Sequence, residues 1–286
     1  MSNIVWKYYG GAVVQSHPET EHIQNKIRYR NVVKAMALPR RPLFVLYPTN
    51  YDCPHPTEWW YTINDCEYDL KQLPAKRRYE INKGRKNFRI EKVDPKEYLQ
   101  QICDVMVASF DNYPEEYKPN LSQFTAEWFC RYIDNLEADS CHEFYLAFGE
   151  ENGVDGYLHI VKRKDGVIVL DQQKARPTSE RLNVNFALLD HVLTTYADDI
   201  AAHRAIISNG QRNVRHKTEF NEFLIKYFGF RRVYTHLQIA FPPLLGIVIR
   251  PLAWLTPSKL LNMKIENHFV YNLLTVIRYI KIAQHN

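Results

Sequence analysis

Residues 143–173 read EFYLAFGEENGVDGYLHIVKRKDGVIVLDQQ, and this stretch decides the fold class. Apolar and polar residues alternate in three runs, Glu143 to Phe148, Gly156 to Lys162 and Val167 to Gln173, which is the period of half-buried strands. Glu150 to Gly153 supplies one turn. Arg163-Lys164-Asp165-Gly166 supplies the other, and Asp-Gly between alternating runs favours a tight hairpin. The stretch is therefore an antiparallel meander.

Downstream, a loop from Lys174 to Leu182 leads to a helix over Asn183 to Asp198, with Phe186, Leu189, Val192, Leu193 and Tyr196 on its buried side. A short strand, Ala205 to Ser208, follows. Asn209-Gly210 then turns the chain into a helix over Val214 to Phe228, and Gly229 ends that helix in the left-handed conformation. Arg232 to Ala240 is the last strand. Meander, helix, strand, helix, strand gives an α/β class: a mixed, mostly antiparallel sheet covered by helices.

Upstream, Ile4 to Gln15, Pro42 to Tyr47, Glu58 to Ile63 and Phe88 to Val93 read as strands. Pro18 to Met36 reads as loop then helix, and Leu73 to Lys86 as a helix. Asp94-Pro95-Lys96-Glu97 combines a capping acceptor, a proline at the first helical position and a carboxylate three residues on, so a helix starts there. A second helix follows Asn120 or Ser122, with Phe124, Trp128, Phe129, Tyr132 and Ile133 on one side. The expected division is 1–92, a partial half with a basic helix; 93–240, the principal domain; and 241–286, an apolar and basic tail.

The 286 residues are 45% hydrophobic and 24% charged, which excludes a disordered or low-complexity chain. Ten glycines argue against glycine-built nucleotide loops. The formal charge of +5 hides opposed segments. Lys71 to Lys92 carries an excess of seven positive charges, Val93 to Ile160 an excess of eleven negative, and Ala201 to Ala240 an excess of five positive. Two basic segments brought together by the fold would suit a phosphate-bearing ligand.

Five cysteines, Cys53, Cys66, Cys103, Cys130 and Cys141, show neither CxxC nor short cysteine-histidine spacing, so neither zinc nor a disulfide framework is indicated. They read as packing residues of a reducing compartment. No secretion signal is legible at Met1 to Gly11, and the expected location is cytoplasmic. Phe241 to Leu255 is the longest apolar stretch, 15 residues that include Arg250 and three prolines. It is short of the roughly 20 residues needed to span a bilayer. With Arg278 and Lys281 farther on, 241–286 has the composition of a segment that docks on an anionic membrane surface.

From Glu143 to Ala240 the element order resembles the acyltransfer half of the GCN5-related N-acetyltransferase (GNAT) superfamily. The basic segment Leu73 to Phe88 looks like an element of the Fem-type aminoacyltransferases, which are built from twinned versions of that fold. Phe223-Leu224-Ile225-Lys226-Tyr227-Phe228-Gly229-Phe230 looks like their terminal element. Together with Tyr9-Gly10-Gly11 and Glu58-Trp59-Trp60-Tyr61, the chain is similar to acyltransferase-like proteins of bacterial surface-polysaccharide gene clusters. The resemblance implies two splayed strands that admit an acyl donor, and N-acyl transfer to an amine, an amino sugar free or lipid-linked. It implies acyl-coenzyme A (acetyl-coenzyme A) as donor, or aminoacyl-tRNA as the alternative. The glycine loop that grips pyrophosphate in the acetyl-coenzyme A enzymes has no counterpart in 173–183, which moves the tRNA donor closer.

On this reading Asp171, at a strand end, is the general base, and His216 with Glu219 form a second titratable pair three residues apart. Gln173, Lys174, Arg176, Asn183 and Asn185 are expected to hold the donor. Trp60, Arg78, Lys83, Ser208, Asn209 and Arg212 are expected to hold the acceptor, the last three at a strand end that opens a helix. Two alternatives have no catalysis: a tRNA or polyanion binder using the basic helix, and a membrane-docked assembly protein that kept the fold.

Overall fold

The computed structural model describes residues 4–36, 41–111, 113, 115, 118–136, 140–150, 152–214, 219–261 and 267–284. Its strands are β1 (Trp6–Tyr9), β2 (Ala12–Gln15), β3 (Phe44–Thr49), β4 (Trp59–Asn64), β5 (Arg89–Val93), β6 (Cys141–Phe148), β7 (Val154–Lys162), β8 (Val167–Ala175), β9 (Ile206–Gln211) and β10 (Arg231–Ala240). Its helices are α1 (Tyr29–Met36), α2 (Ala75–Asn87), α3 (Leu99–Ala108), α4 (Ala126–Asp134), α5 (Pro177–Glu180), α6 (Val184–Thr195), α7 (Ala197–Ala201), α8 (Glu219–Phe228), α9 (Pro243–Leu255), α10 (Ser258–Leu261) and α11 (His268–Gln284). Two compact units share the chain: Met1–Thr62, Gln211–Asn221 and Arg232–Asn286 form the first, and Ile63–Gly210 with Glu222–Arg231 the second. The first unit thus takes both chain ends, and the basic helix α2 belongs with the meander.

In the first unit the strand order is β1-β2-β3-β10-β4. β1 and β2 form a hairpin whose turn uses Gly10 and Gly11 at positive φ. β2 pairs with β3 in parallel, and β3 with β10 antiparallel. One face buries Val13, Ile23, Tyr29, Val32, Val45 and Tyr47. On β4, Trp59 is buried and Trp60 half-buried, as alternation along a strand requires.

The second unit has the order β9-β8-β7-β6-β5, antiparallel from β5 to β8 and parallel between β8 and β9. Phe144, Leu146 and Phe148 of β6 face α3 and α4, burying Ile102, Val105, Met106 and Phe129. Glu143 and Tyr145 point to the opposite side, where α6 brings Tyr196 and His191 against them. The meander thus separates two layers, and the candidate site is built across its open edge.

Four local expectations are corrected. Asn120 caps only a short 3-10 turn, Leu121–Gln123, and the helix α4 starts at Thr125, whose hydroxyl accepts from Trp128 N. Both sites offer a capping oxygen, and only the second is followed by a continuous apolar stripe. The helix expected over 183–198 breaks at Tyr196 into α6 and α7. Lys174 and Ala175 extend β8, and Pro177–Glu180 forms a helical turn inside the expected loop. Gly210 does take a positive φ, but β9 runs on through it to Gln211, so Ser208 and Asn209 do not open a helix. Glycine tolerates that φ without reversing the chain.

Candidate active site

β8 and β9 pair at Val167↔Ile206, Ile168↔Ile207 and Val169↔Ser208, and no further pair joins them among the described residues. β8 then continues to Ala175 alongside β7 alone. The edge of 170–175 turned away from β7 therefore presents backbone N–H and C=O groups that β9 does not take up, a template for an extended ligand.

Where the two strands part, the β7–β8 register shifts. Ile160 pairs with Leu170 and His159 with Gln172, so Asp171 is the extra residue of a β-bulge. A bulge re-aims the side chain it carries. Here it sets Asp171 Oδ2 3.0 Å from His159 Nδ1 and 3.1 Å from the Tyr132 hydroxyl, which donates to it. His159 Nε2 lies 3.0 Å from His142 Nδ1, and the Phe144 ring stacks on His159 at 4.1 Å between centroids. A carboxylate only accepts, so His159 Nδ1 carries the proton given to Asp171; in neutral His159, Nε2 then accepts from His142 Nδ1–H.

The chain runs from a side chain 43% exposed at Asp171 to one 1% exposed at His159. The hydrogen bond from His159 holds the Asp171 carboxyl below the usual carboxylate range, against burial, which pushes it up; Tyr132 adds to the lowering. Burial and the neighbouring Asp171 push the Tyr132 phenol up, so it remains a donor at neutral pH.

On the other face of β8, Gln173 Nε2 donates to Asn185 Oδ1 at 2.8 Å, while Gln173 Oε1 is a buried acceptor with no protein partner. A buried acceptor without a protein partner is uncommon in a folded chain. Lys174 Nζ stands over the Phe110 and Tyr113 rings at 4.3 and 5.4 Å, and burial lowers its pKa. Arg176 Nε donates to Val154 O. Asn183 has φ 68°, precedes α6 and donates to Glu80 O and Oε2.

The basic helix α2 packs on this same segment. Lys83 Nζ donates to Arg181 O, Asn87 to Leu182 O, and Arg85 forms a two-point ion pair with the buried Asp190 of α6. Gly84 permits the approach: a Cβ there would lie 2.6 Å from Asn183 O. The backbone carbonyls of Arg181 and Leu182 are thus held by α2, Asn183 O accepts from Phe186 N and Ala187 N, and the amides of Val184 and Asn185 lack an intrahelical acceptor, as at any helix start.

Asp171, Gln173, Lys174, Arg176, Asn183, Asn185 and Lys83 therefore gather around β8 and the start of α6. Ser208 is fully buried, its hydroxyl accepting from Gly210 N, and Asn209 lies half-buried beyond the last β8–β9 pair. Arg78 is exposed and donates to Lys71 O. Trp60 and Arg212 belong to the first unit, where Arg212 donates to Glu58 O and Arg232 stands over the Trp60 ring. Glu219 is exposed at the start of α8, and His216 lies outside the described residues. Sequence reasoning missed His159, His142 and Tyr132 as site residues; it put Tyr132 on the apolar side of its helix, but the convergence of the three was not legible.

No protein-family model and no curated protein matches the sequence. Solved structures do resemble the chain. The crystal structure of FemX matches with a TM-score of 0.55, over 86% of this chain and 86% of that one, at 8% identity. The structure of L-PGS from Bacillus licheniformis gives 0.46 over 97% of this chain and 85% of its own, at 10% identity. A tandem GNAT protein from the clavulanic acid biosynthesis pathway gives 0.42 over 81% and 75%, at 9% identity. Such identities speak for the fold alone, and of these three only the likeness to FemX is close enough to carry it. The chain has a GNAT-like fold, a mixed and mostly antiparallel sheet flanked by helices.

Proposed function

We propose that this chain is an N-acyltransferase, binding an acyl donor along the open edge of β8 and passing the acyl group to an amine beside Asp171. The observation that carries the reading is the parting of β8 from β9 after three residue pairs, with a carboxylate bulged out at the point of parting. An acyl-coenzyme A fits this place: its extended arm bears amides, which complement both the edge groups of 170–175 and the orphan Gln173 Oε1. The first amides of α6 are suited to phosphate. When bound, the donor supplies an activated carbonyl carbon.

The chain's own residues do the rest. Holding amine and carbonyl together removes an entropic barrier, roughly 7–11 kcal/mol at best. Asp171 Oδ1, which takes no part in the bonds to His159 and Tyr132, accepts a hydrogen bond from the amine. It takes the proton as the nitrogen–carbon bond forms and the carbon–sulfur bond breaks, and that proton ends on the leaving thiol. His159 fixes the carboxylate's orientation, and Phe144 and Tyr132 fix His159. An amino sugar, free or lipid-linked, is the acceptor class in this reading.

Turnover assays with acetyl-coenzyme A, longer acyl-coenzyme A species and aminoacyl-tRNA, with glucosamine as acceptor, test it. Turnover with a coenzyme A thioester that falls about 10²–10⁴-fold in Asp171→Asn supports it. Turnover with aminoacyl-tRNA alone replaces the donor. No turnover with any donor, beside tRNA binding that weakens steeply with salt, favours the non-catalytic reading.

A further inference from the structure

Helix α9 is apolar around almost its whole circumference, and Arg250 is its single charged residue. A helix of that composition is normally covered on all sides. Here only one side is: Ile249 and Ala253 are buried. Leu244, Val248, Leu252 and Leu255, three to four residues apart along the other side, are 82, 67, 41 and 67% exposed, and Ile247 and Trp254 beside them are 71 and 77% exposed. Phe269, in the first turn of α11, adds a further ring at 76%. Scattered exposed apolar residues need no explanation, but a continuous uncovered face does.

Along the chain, the charges from Phe241 to Ile265 are of one sign, with no Asp or Glu in that stretch. Arg278 and Lys281 are spent on structure, donating to Val214 O, Leu261 O and Thr256 O. Arg250 and Lys259 stay exposed on the surface. Among the described residues, Arg250 is also the only charged group lining an open cleft of about 440 Å³ bounded by Phe241, Pro242, Pro243, Gly246, Ile247 and Pro251. A two-fold contact between copies would set Arg250 and Lys259 against this same stretch of the second copy, which offers no acid from 241 to 265. With 13 residues α9 is only about 20 Å long, and among the described residues no helix is long and apolar enough to cross a membrane.

We infer that α9 lies in the headgroup layer of a bilayer containing anionic lipid, its Leu244–Leu255 side sunk toward the acyl chains and Arg250 at a lipid phosphate. The association is in-plane and reversible, resting on apolar burial with electrostatic attraction added. It is independent of the acyltransfer reading.

Co-sedimentation of the full chain with vesicles tests it. The chain should pellet with vesicles of phosphatidylglycerol and phosphatidylcholine in equal parts, and far less with phosphatidylcholine alone. The double variant Ile247→Ser with Val248→Ser should weaken binding about tenfold or more, and Arg250→Gln should remove the preference for the anionic vesicles. Because the altered side chains are exposed, circular dichroism should be unchanged. A second readout needs no loss of binding: brominated acyl chains should quench tryptophan emission in the native chain and much less in Trp254→Phe. Failure to bind anionic vesicles overturns the inference, as does equal binding by the double variant. A concentration-dependent dimer that the double variant abolishes, without vesicle binding, also overturns it by making a second copy the occupant.

Discussion

His159 Nδ1 stands 3.0 Å from Asp171 Oδ2, a contact between a fully buried ring and a half-exposed carboxylate at the point where two strands separate. Folding thus lowers the Asp171 pKa, so the pair stabilises the protein above the usual carboxylate range and loses that contribution as pH falls through the lowered value. Replacing His159 by Leu, which has no side-chain N–H, removes the donor that holds the carboxylate ionised. The acid limb of the kcat/KM profile should move to higher pH in His159→Leu, with kcat down about tenfold and the KM for donor little changed. A role in packing alone would lower stability without moving that limb.

Glu143 makes a separate prediction about stability. It is almost fully buried, and burial pushes its carboxyl up. Lys92, the Tyr196 and Tyr145 hydroxyls and Lys162 outweigh that and bring it to about 2, from an ordinary 4.5. The sign follows: this contribution is fully present above about pH 4.5 and disappears as pH falls toward about 2. It corresponds to roughly 3 kcal/mol at neutral pH. Urea unfolding of Glu143→Gln should show a loss of that order at pH 7 and a flatter acid dependence than the native chain.

At Gly84 a methyl group would meet Asn183 O at 2.6 Å and Ala187 N at 3.1 Å, both backbone atoms that cannot swing aside. A glycine inside a helix usually gains stability when changed to alanine, by up to about 1 kcal/mol. Here the opposite sign is expected, because α2 must move off the start of α6. Gly84→Ala should destabilise by about 1–3 kcal/mol and weaken donor binding, read by urea unfolding and calorimetric titration.

The three strands of the meander were legible because each is an alternating run closed by a turn signal. The bulge at Asp171 was not, since it depends on which β7 residue faces which β8 residue. For the same reason Phe144 and His159 could not be paired from the sequence, and the two histidines went unnoticed. Asn209-Gly210 carries a turn signal, yet the strand passes through it, because a glycine at positive φ permits a turn without requiring one. The role of α2 was half legible: its charge was plain, but the contact through Gly84 joins residues about a hundred positions apart.

The account rests on the open edge of β8 as the seat of the donor. Hydrogen–deuterium exchange on backbone amides, with and without acetyl-coenzyme A, reads this edge residue by residue. The account predicts slowed exchange within 170–175 and at the first turn of α6, retained in Asp171→Asn. Turnover accompanied by unchanged exchange across 170–175, or by protection confined to other strands, would contradict it.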